Sequence, residues 1–170
     1  MKHIIIEYAS FNFWANDRVC KVISTLTEHQ FIQELESSFP SIRHTLLHIW
    51  DAQDIWLERF NGTSPQTWPS ASFKGTKDEL IVRTLNSSAQ IIEKVKRYSE
   101  EELQTGVNYT TMKGNSGDAP RYQMFMHVVN HGTYHRGQLI TMLRLVGIAE
   151  LPATDLIAYY REVKDSFANS

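Results

Sequence analysis

Apolar residues recur at steps of three and four along most of the chain, the spacing that places them on one face of an α-helix. From about Ile4 to Leu26 the stripe is Ile4, Tyr8, Phe11, Ala15, Val19, Val22 and Leu26. A second stripe of Thr45, Ile49, Ala52, Trp56 and Phe60 predicts a helix from Ile42 to Phe60, with Ser41 as its N-cap and Asn61-Gly62 at its end. Residues 63–75 hold Pro65, Pro69, Gly75 and several Ser and Thr without periodicity, which reads as a long crossing loop. Thr76 and Glu79 form a capping-box pair that opens a third helix carrying Leu80, Leu85, Ile91, Ile92, Val95 and Tyr98. Ser99 and Glu102 repeat the box and predict a further short turn. Val107 to Tyr109 reads as a short extended piece, and Gly114-Asn115-Ser116-Gly117-Asp118 as a turn. Pro120 suits the first position of a fourth long helix, which should run to about Val146 and stop at Gly147. After Pro152, Thr154 or Asp155 can cap a last amphipathic helix through Tyr160 and Phe167, beyond which the tail is expected to fray.

Four main helices, a short C-terminal one and almost no strand predict an all-α fold: a four-helix bundle with a long crossover between its second and third helices. The 170 residues are expected to form one domain, residues 1–170. A chain of this length buries about 70% of its unfolded surface, so it needs no metal merely to fold. With 17 Lys+Arg against 19 Asp+Glu the net charge is −2, which argues against a nucleic-acid partner held by bulk electrostatics. Lys94-Val95-Lys96-Arg97 reads as a solvated helix face. Cys20 is the one cysteine, so no intramolecular disulfide can form, and its neighbours Val19 and Val22 mark it as core packing. The first apolar run breaks at Glu7, short of a signal-peptide core, and no segment approaches the ~20 apolar residues that span a bilayer. A cytoplasmic protein without a membrane partner is the expectation.

The chemistry lies in seven histidines. In the fourth long helix Met124, His127, His131, His135, Gln138, Met142 and Leu145 recur at steps of three and four, so the histidines share a face, expected to be a core-facing seam with a polar centre. Buried imidazoles without partners cost roughly 1–3 kcal/mol each, so something should satisfy them. His44 and His48 form a second pair, on the second helix. If the second and fourth helices are neighbours, His48 can face His131 and His135. Three neutral imidazoles without a fourth protein ligand make a catalytic type of metal site, where water or substrate takes the open position. Zn²⁺, Ni²⁺ and Fe²⁺ all accept imidazole. His3 and His29 read as surface residues.

Phe13-Trp14-Ala15-Asn16-Asp17-Arg18, Ser41-Ile42-Arg43-His44-Thr45-Leu46-Leu47-His48-Ile49 and above all His127-Val128-Val129-Asn130-His131-Gly132-Thr133-Tyr134-His135-Arg136-Gly137-Gln138 resemble the DinB-like (DNA-damage-inducible) four-helix-bundle family. The spacing to Asp155-Leu156-Ile157-Ala158-Tyr159 is also similar, so the likeness covers nearly the whole chain. It implies a metal triad of His48, His131 and His135, with His127 as a pocket residue. It also implies activities such as thiol-dependent transfer or hydrolysis.

Two mechanisms follow for a bound ion. It can lower the pKa of a water toward ~7, as a hydrolase needs, or ionise the thiol of a low-molecular-weight cofactor, as a transferase needs. Metal-bound histidine usually hands its other nitrogen to a second group, and Asp51 and Gln138 each stand three residues from a proposed ligand. Asp51 is the candidate to orient His48 or accept a proton. Arg136 lies off the histidine face and is expected in a surface salt bridge. Trp14 and Trp56 can line a pocket or fill the core. A small-molecule substrate and a homodimer complete the expectations. The competing reading is a stress-related metal-binding interaction protein without catalysis.

Overall fold

The computed structural model describes the backbone over residues 1–168 and the side chains over residues 1–163. Its four long helices are α1 (Lys2–Ser24), α3 (Ile42–Phe60), α4 (Lys77–Arg97) and α6 (Arg121–Leu145). One-turn helices α2 (Glu28–Ile32) and α5 (Glu100–Gln104), a hairpin of β1 (Gly106–Thr110) and β2 (Ser116–Pro120), and α7 (Leu156–Ala168) complete the described chain. The tail expected to fray lies, at residues 169–170, outside the described residues. No helix among those described is long and apolar enough to cross a membrane.

The boundaries follow from local chemistry. Ser41 accepts the backbone N–H of His44 and starts α3. Thr76 with Glu79, and Ser99 with Glu102, make the capping boxes that open α4 and α5. Thr27 with Gln30 makes another that opens α2, a helix too short for periodicity to reveal. Asp155, rather than Thr154, caps the last helix by accepting the Ala158 N–H at 3.1 Å. Pro120 differs from expectation: it is extended, ends β2 and serves as N-cap, so α6 begins at Arg121. The hairpin pairs Gly106 with Pro120 through Thr110 with Ser116 in antiparallel register.

In the bundle α1 packs against α4 and α6, and α3 packs against the same two, so α1 and α3 stand diagonally opposite. α3 reaches α4 by the crossover, which holds a 3-10 turn at Pro69–Ser72. α7 rests on α1, where Phe11, Ala15 and Tyr159 form a small cluster with Trp14 against it. Trp14 therefore fills the α1–α7 contact.

The core is divided along the bundle axis. One apolar half gathers Cys20, Ile23, Ile42, Leu46, Leu80, Leu139 and Met142; the other gathers Ile5, Phe60, Ile91, Val95, Phe125 and Val128. Between them lies a buried polar layer of Asn12, Asn16, Gln53, Thr84, Ser88 and Arg136, contributed by all four long helices. Asn12 and Asn16 donate to Gln53 Oε1 at 3.0 and 3.2 Å, Ser88 Oγ lies 2.7 Å from the same oxygen, and Gln53 Nε2 donates to the Thr84 carbonyl at 3.1 Å. Arg136 Nη1 donates to Asn12 Oδ1 at 2.7 Å and Asn16 Oδ1 at 2.9 Å, and Nη2 donates to Thr133 Oγ1 at 2.8 Å.

Arg136 corrects the sequence reading. It is 1% exposed and makes no salt bridge among the described residues. Burial pulls its pKa down to about 10, which leaves it charged at neutral pH. Two asparagine carbonyls and a hydroxyl solvate it in place of a carboxylate.

Candidate metal centre

The histidine seam of α6 is rotated from its expected place. The buried face runs through Met124, Val128, Gly132, His135, Leu139 and Met142, while His127 and Leu145, expected on it, are exposed. His131 and His135 stand on the edge turned to α3, and Gly132 and Arg136 on the edge turned to α1. His131 is half-buried and His135 is buried, so solvent reaches the cluster past His131 and the half-buried His48.

His48 of α3 meets that edge. Its Nε2 lies 3.0 Å from Nε2 of His131. Ring centroids are 4.8 Å apart for His48–His131, 4.6 Å for His48–His135 and 4.3 Å for His131–His135. One ring nitrogen from each of the three lies within 4.8 Å of the others, a cluster that can hold a metal ion. Donors on a tetrahedral ion at about 2.0–2.1 Å stand about 3.3–3.4 Å from one another. The His48–His131 separation of 3.0 Å is close to that value, and the other two separations lie within 4.8 Å.

The protonation state suits a cation. A 3.0 Å contact between two imidazole nitrogens needs a hydrogen on one and a lone pair on the other, so both rings cannot be cationic there. Burial, aided by the neighbouring His135, pushes His48 down to about 4. Burial and the three histidines around it push His131 down to about 3. Burial also lowers His135, against the raising effect of its bond to Gln138. At neutral pH the cluster is three neutral imidazoles.

Gln138 fixes the tautomer of the third. His135 Nδ1 lies 2.7 Å from Gln138 Oε1, an oxygen that only accepts, so Nδ1 carries the hydrogen and Nε2 the lone pair. Gln138 is itself held by donating to Ser38 Oγ at 2.8 Å.

Asp51 stands beside the cluster but bonds elsewhere. Its two carboxylate oxygens accept the backbone N–H of Ser70 at 2.7 Å and the Ser70 hydroxyl at 2.5 Å, pinning the 3-10 turn of the crossover to α3. Burial raises its pKa, and the Ser70 bonds oppose that rise. His127 stands one turn before His131, with ring centroids 6.0 Å apart, and its ring packs on Trp56 at 5.0 Å. His44 Nδ1 is engaged by Ser41 Oγ at 2.7 Å. His3 and His29 are exposed, away from the cluster.

Phe39 escaped the sequence reading. It stacks on His48 at 4.4 Å and stands edge-on to His135 at 5.6 Å, so it covers one side of the cluster. Its only signal was its place two residues before the Ser41 cap. A pocket of about 360 Å³ opens beside His48, lined by Phe39, His44, Leu47, Asp51, Trp68 and Ser70. Trp68, on the crossover, lies 6.1 Å ring-to-ring from His48.

Residues 1–164 match the DinB family. Protein DinB of Bacillus subtilis (strain 168) is 27% identical over 158 residues, covering 89% of this chain and 91% of that protein. Among solved structures, a DinB-like protein from Bacillus subtilis aligns with a TM-score of 0.65 at 14% identity, over 87% of this chain and 97% of that one. Another, from Bacillus cereus ATCC 10987, aligns at 0.63 and 17% identity over 82% and 89%. These two likenesses speak to the fold.

Proposed function

The chain belongs to the DinB family, and on that premise we propose that it is a metal-dependent enzyme in which His48, His131 and His135 hold one divalent ion and leave a coordination position for water or substrate. One observation carries the reading: three neutral imidazoles from two helices converge within 4.8 Å, one of them, His48, lines a pocket, and among the described residues no carboxylate or thiol joins the cluster. Three nitrogen donors suit Zn²⁺, Ni²⁺ or Fe²⁺ and are the ligand number of open, catalytic sites.

When bound, such an ion lowers the pKa of a coordinated water or thiol, which serves hydrolysis in the first case and transfer from a low-molecular-weight thiol in the second. The chain's own residues do the rest. Gln138 holds His135 in the ligating tautomer. Phe39 shields the ring faces of His48 and His135 from water. His127 is the nearest further imidazole; although exposed at one edge, its ring is partly desolvated against Trp56, which with the Arg59 cation lowers its pKa. It is the candidate to accept a proton released at the open position. Asp51 serves the site through Ser70, by fixing the wall that carries Trp68.

Elemental analysis of protein purified without chelator or affinity tag tests this. About one divalent ion per chain is expected, lost in His131→Ala and retained in the surface variant His29→Ala. Gln138→Ala should keep the site but weaken affinity by about 10- to 100-fold, the usual effect of removing a group that orients a ligand. In the cobalt-loaded protein, azide or a small thiol should change the visible spectrum by taking the open position. Protein that neither carries nor takes up a divalent ion refutes the proposal. A spectrum that no added ligand alters would instead favour a closed, structural ion in a non-catalytic protein.

A further inference from the structure

Resting on the reading of the cluster as a metal site, we infer that the pocket beside His48 receives an uncharged aromatic or aliphatic group of the substrate, whose polar end reaches the histidines. At about 360 Å³ the pocket falls within the range of small-molecule sites. Its apolar walls are Phe39, Leu47 and Trp68. Several of its polar groups are turned to partners within the protein: Ser70 engages both oxygens of Asp51, and Ser41 engages Nδ1 of His44. A charged substituent would lose water against Phe39, Leu47 and Trp68 without gaining a partner from them. An apolar one would lose nothing.

Trp68 makes the stronger case. It is 41% exposed although it is a large apolar side chain. It is also held in place, because its carbonyl accepts the Ala71 N–H at 3.0 Å and the turn that follows it is tied to Asp51 through Ser70. A buried carboxylate thus fixes the backbone that carries an indole beside an apolar cavity with a candidate ligand, His48, in its wall. A flat apolar group seated against Trp68 and Phe39 would cover that surface and stand beside the His48 ring.

The test separates the pocket from the metal. Acetohydroxamate and benzohydroxamate share a metal-binding head and differ in a methyl against a phenyl group. In the cobalt-loaded protein benzohydroxamate should bind roughly 10- to 100-fold more tightly, the worth of burying such a ring. Trp68→Ser and Leu47→Ser should remove most of that gain, bringing the ratio of the two affinities toward one. Trp68 is partly solvent-exposed, so the first variant keeps the test valid if the second fails to fold. In metal-free protein, benzyl alcohol should shift the NMR signals of the Trp68 indole and the Leu47 methyls. Those shifts in a protein that takes up no metal would refute the metal site and uphold the apolar pocket. Equal affinity for the two hydroxamates, with Trp68 and Leu47 unmoved by benzyl alcohol, would overturn the pocket whether or not the metal binds.

Discussion

Gly132→Ala sets two effects against each other at the polar layer. Gly132 lies in the interior of α6, where alanine is favoured over glycine by about 1 kcal/mol, so helix propensity alone predicts a more stable protein. Packing predicts the reverse. A Cβ at residue 132 would stand 2.7 Å from Asn12 Oδ1 and 2.8 Å from Arg136 Nη1, closer than carbon approaches either atom. Both belong to side-chain ends, but both side chains are buried and bonded on their far sides, Asn12 to Gln53 and Arg136 to Asn16 and Thr133. Relieving the clash breaks the 2.7 Å bond between them and leaves a guanidinium donor or an amide oxygen unpaired in the core. That costs about 1–3 kcal/mol for a neutral group and more for a charged one. The broken bond has a charged end, which places the cost toward the top of that range; less the propensity gain, the net expectation is a loss of about 1–2 kcal/mol, read as a lower urea midpoint in metal-free protein. In an Asn12→Ala background, where one of the two clashes is gone, Gly132→Ala should cost at least about 1 kcal/mol less than it does alone. A Gly132→Ala protein with a midpoint at or above the parent's refutes the reasoning, because the layer would then yield without cost.

Two further outcomes follow from the site. Metal-free protein should lose stability as pH falls below about 6.5: unfolded His48 and His131 take up protons near that pH, whereas the folded rings refuse them until about 4 and about 3, so the unfolded state binds more protons throughout that window. Asp51 and Asp54, raised by burial, act with the opposite sign at lower pH, so urea midpoints should be compared at pH 7.5 and 5.5; an equal midpoint at the two values rejects the assignment. Asp51→Ala should free the crossover, leaving the bundle folded while limited proteolysis within residues 63–75 speeds up several-fold; unchanged cleavage would show that Ser70 is held without it.

Periodicity and capping were enough to outline the bundle, because each long helix carries an apolar stripe and two of the four begin at a capping side chain, Ser41 and Thr76. They could not set the rotation of α6. Its buried arc contains Gly132 and Arg136, which look like a helix breaker and a surface charge, and its rim carries histidines, which look like the centre of a polar seam. A reading by residue type therefore placed Arg136 outside and Leu145 inside, the reverse of what the structure has. The missing information is not local. Arg136 can be buried only because Asn12 and Asn16, more than a hundred residues earlier, present carbonyls to it, and those asparagines interrupt the α1 stripe without announcing a partner. The same holds for Asp51, whose partner Ser70 lies in a loop that has no periodicity to read.

The two polar edges of α6 are physically coupled, since each residue of the pair His131 and His135 is followed directly by one of the pair Gly132 and Arg136. Rotating or sliding α6 enough to open the histidine cluster toward α3 would also pull the guanidinium from Asn12 and Asn16, at the cost of stranding a buried charge. Gln53 joins this layer from α3, five residues beyond His48, so the helix that supplies the third imidazole is tied to the same register. The 3.0 Å approach of His48 to His131 is thus coupled to hydrogen bonds about a quarter-turn around α6, and a site assembled from two helices gains a shared register without a strand or disulfide to hold it. Among the described residues, this gives the buried arginine a reason to be an arginine: a methionine of similar size would pack, but would not choose between neighbouring rotations of the helix.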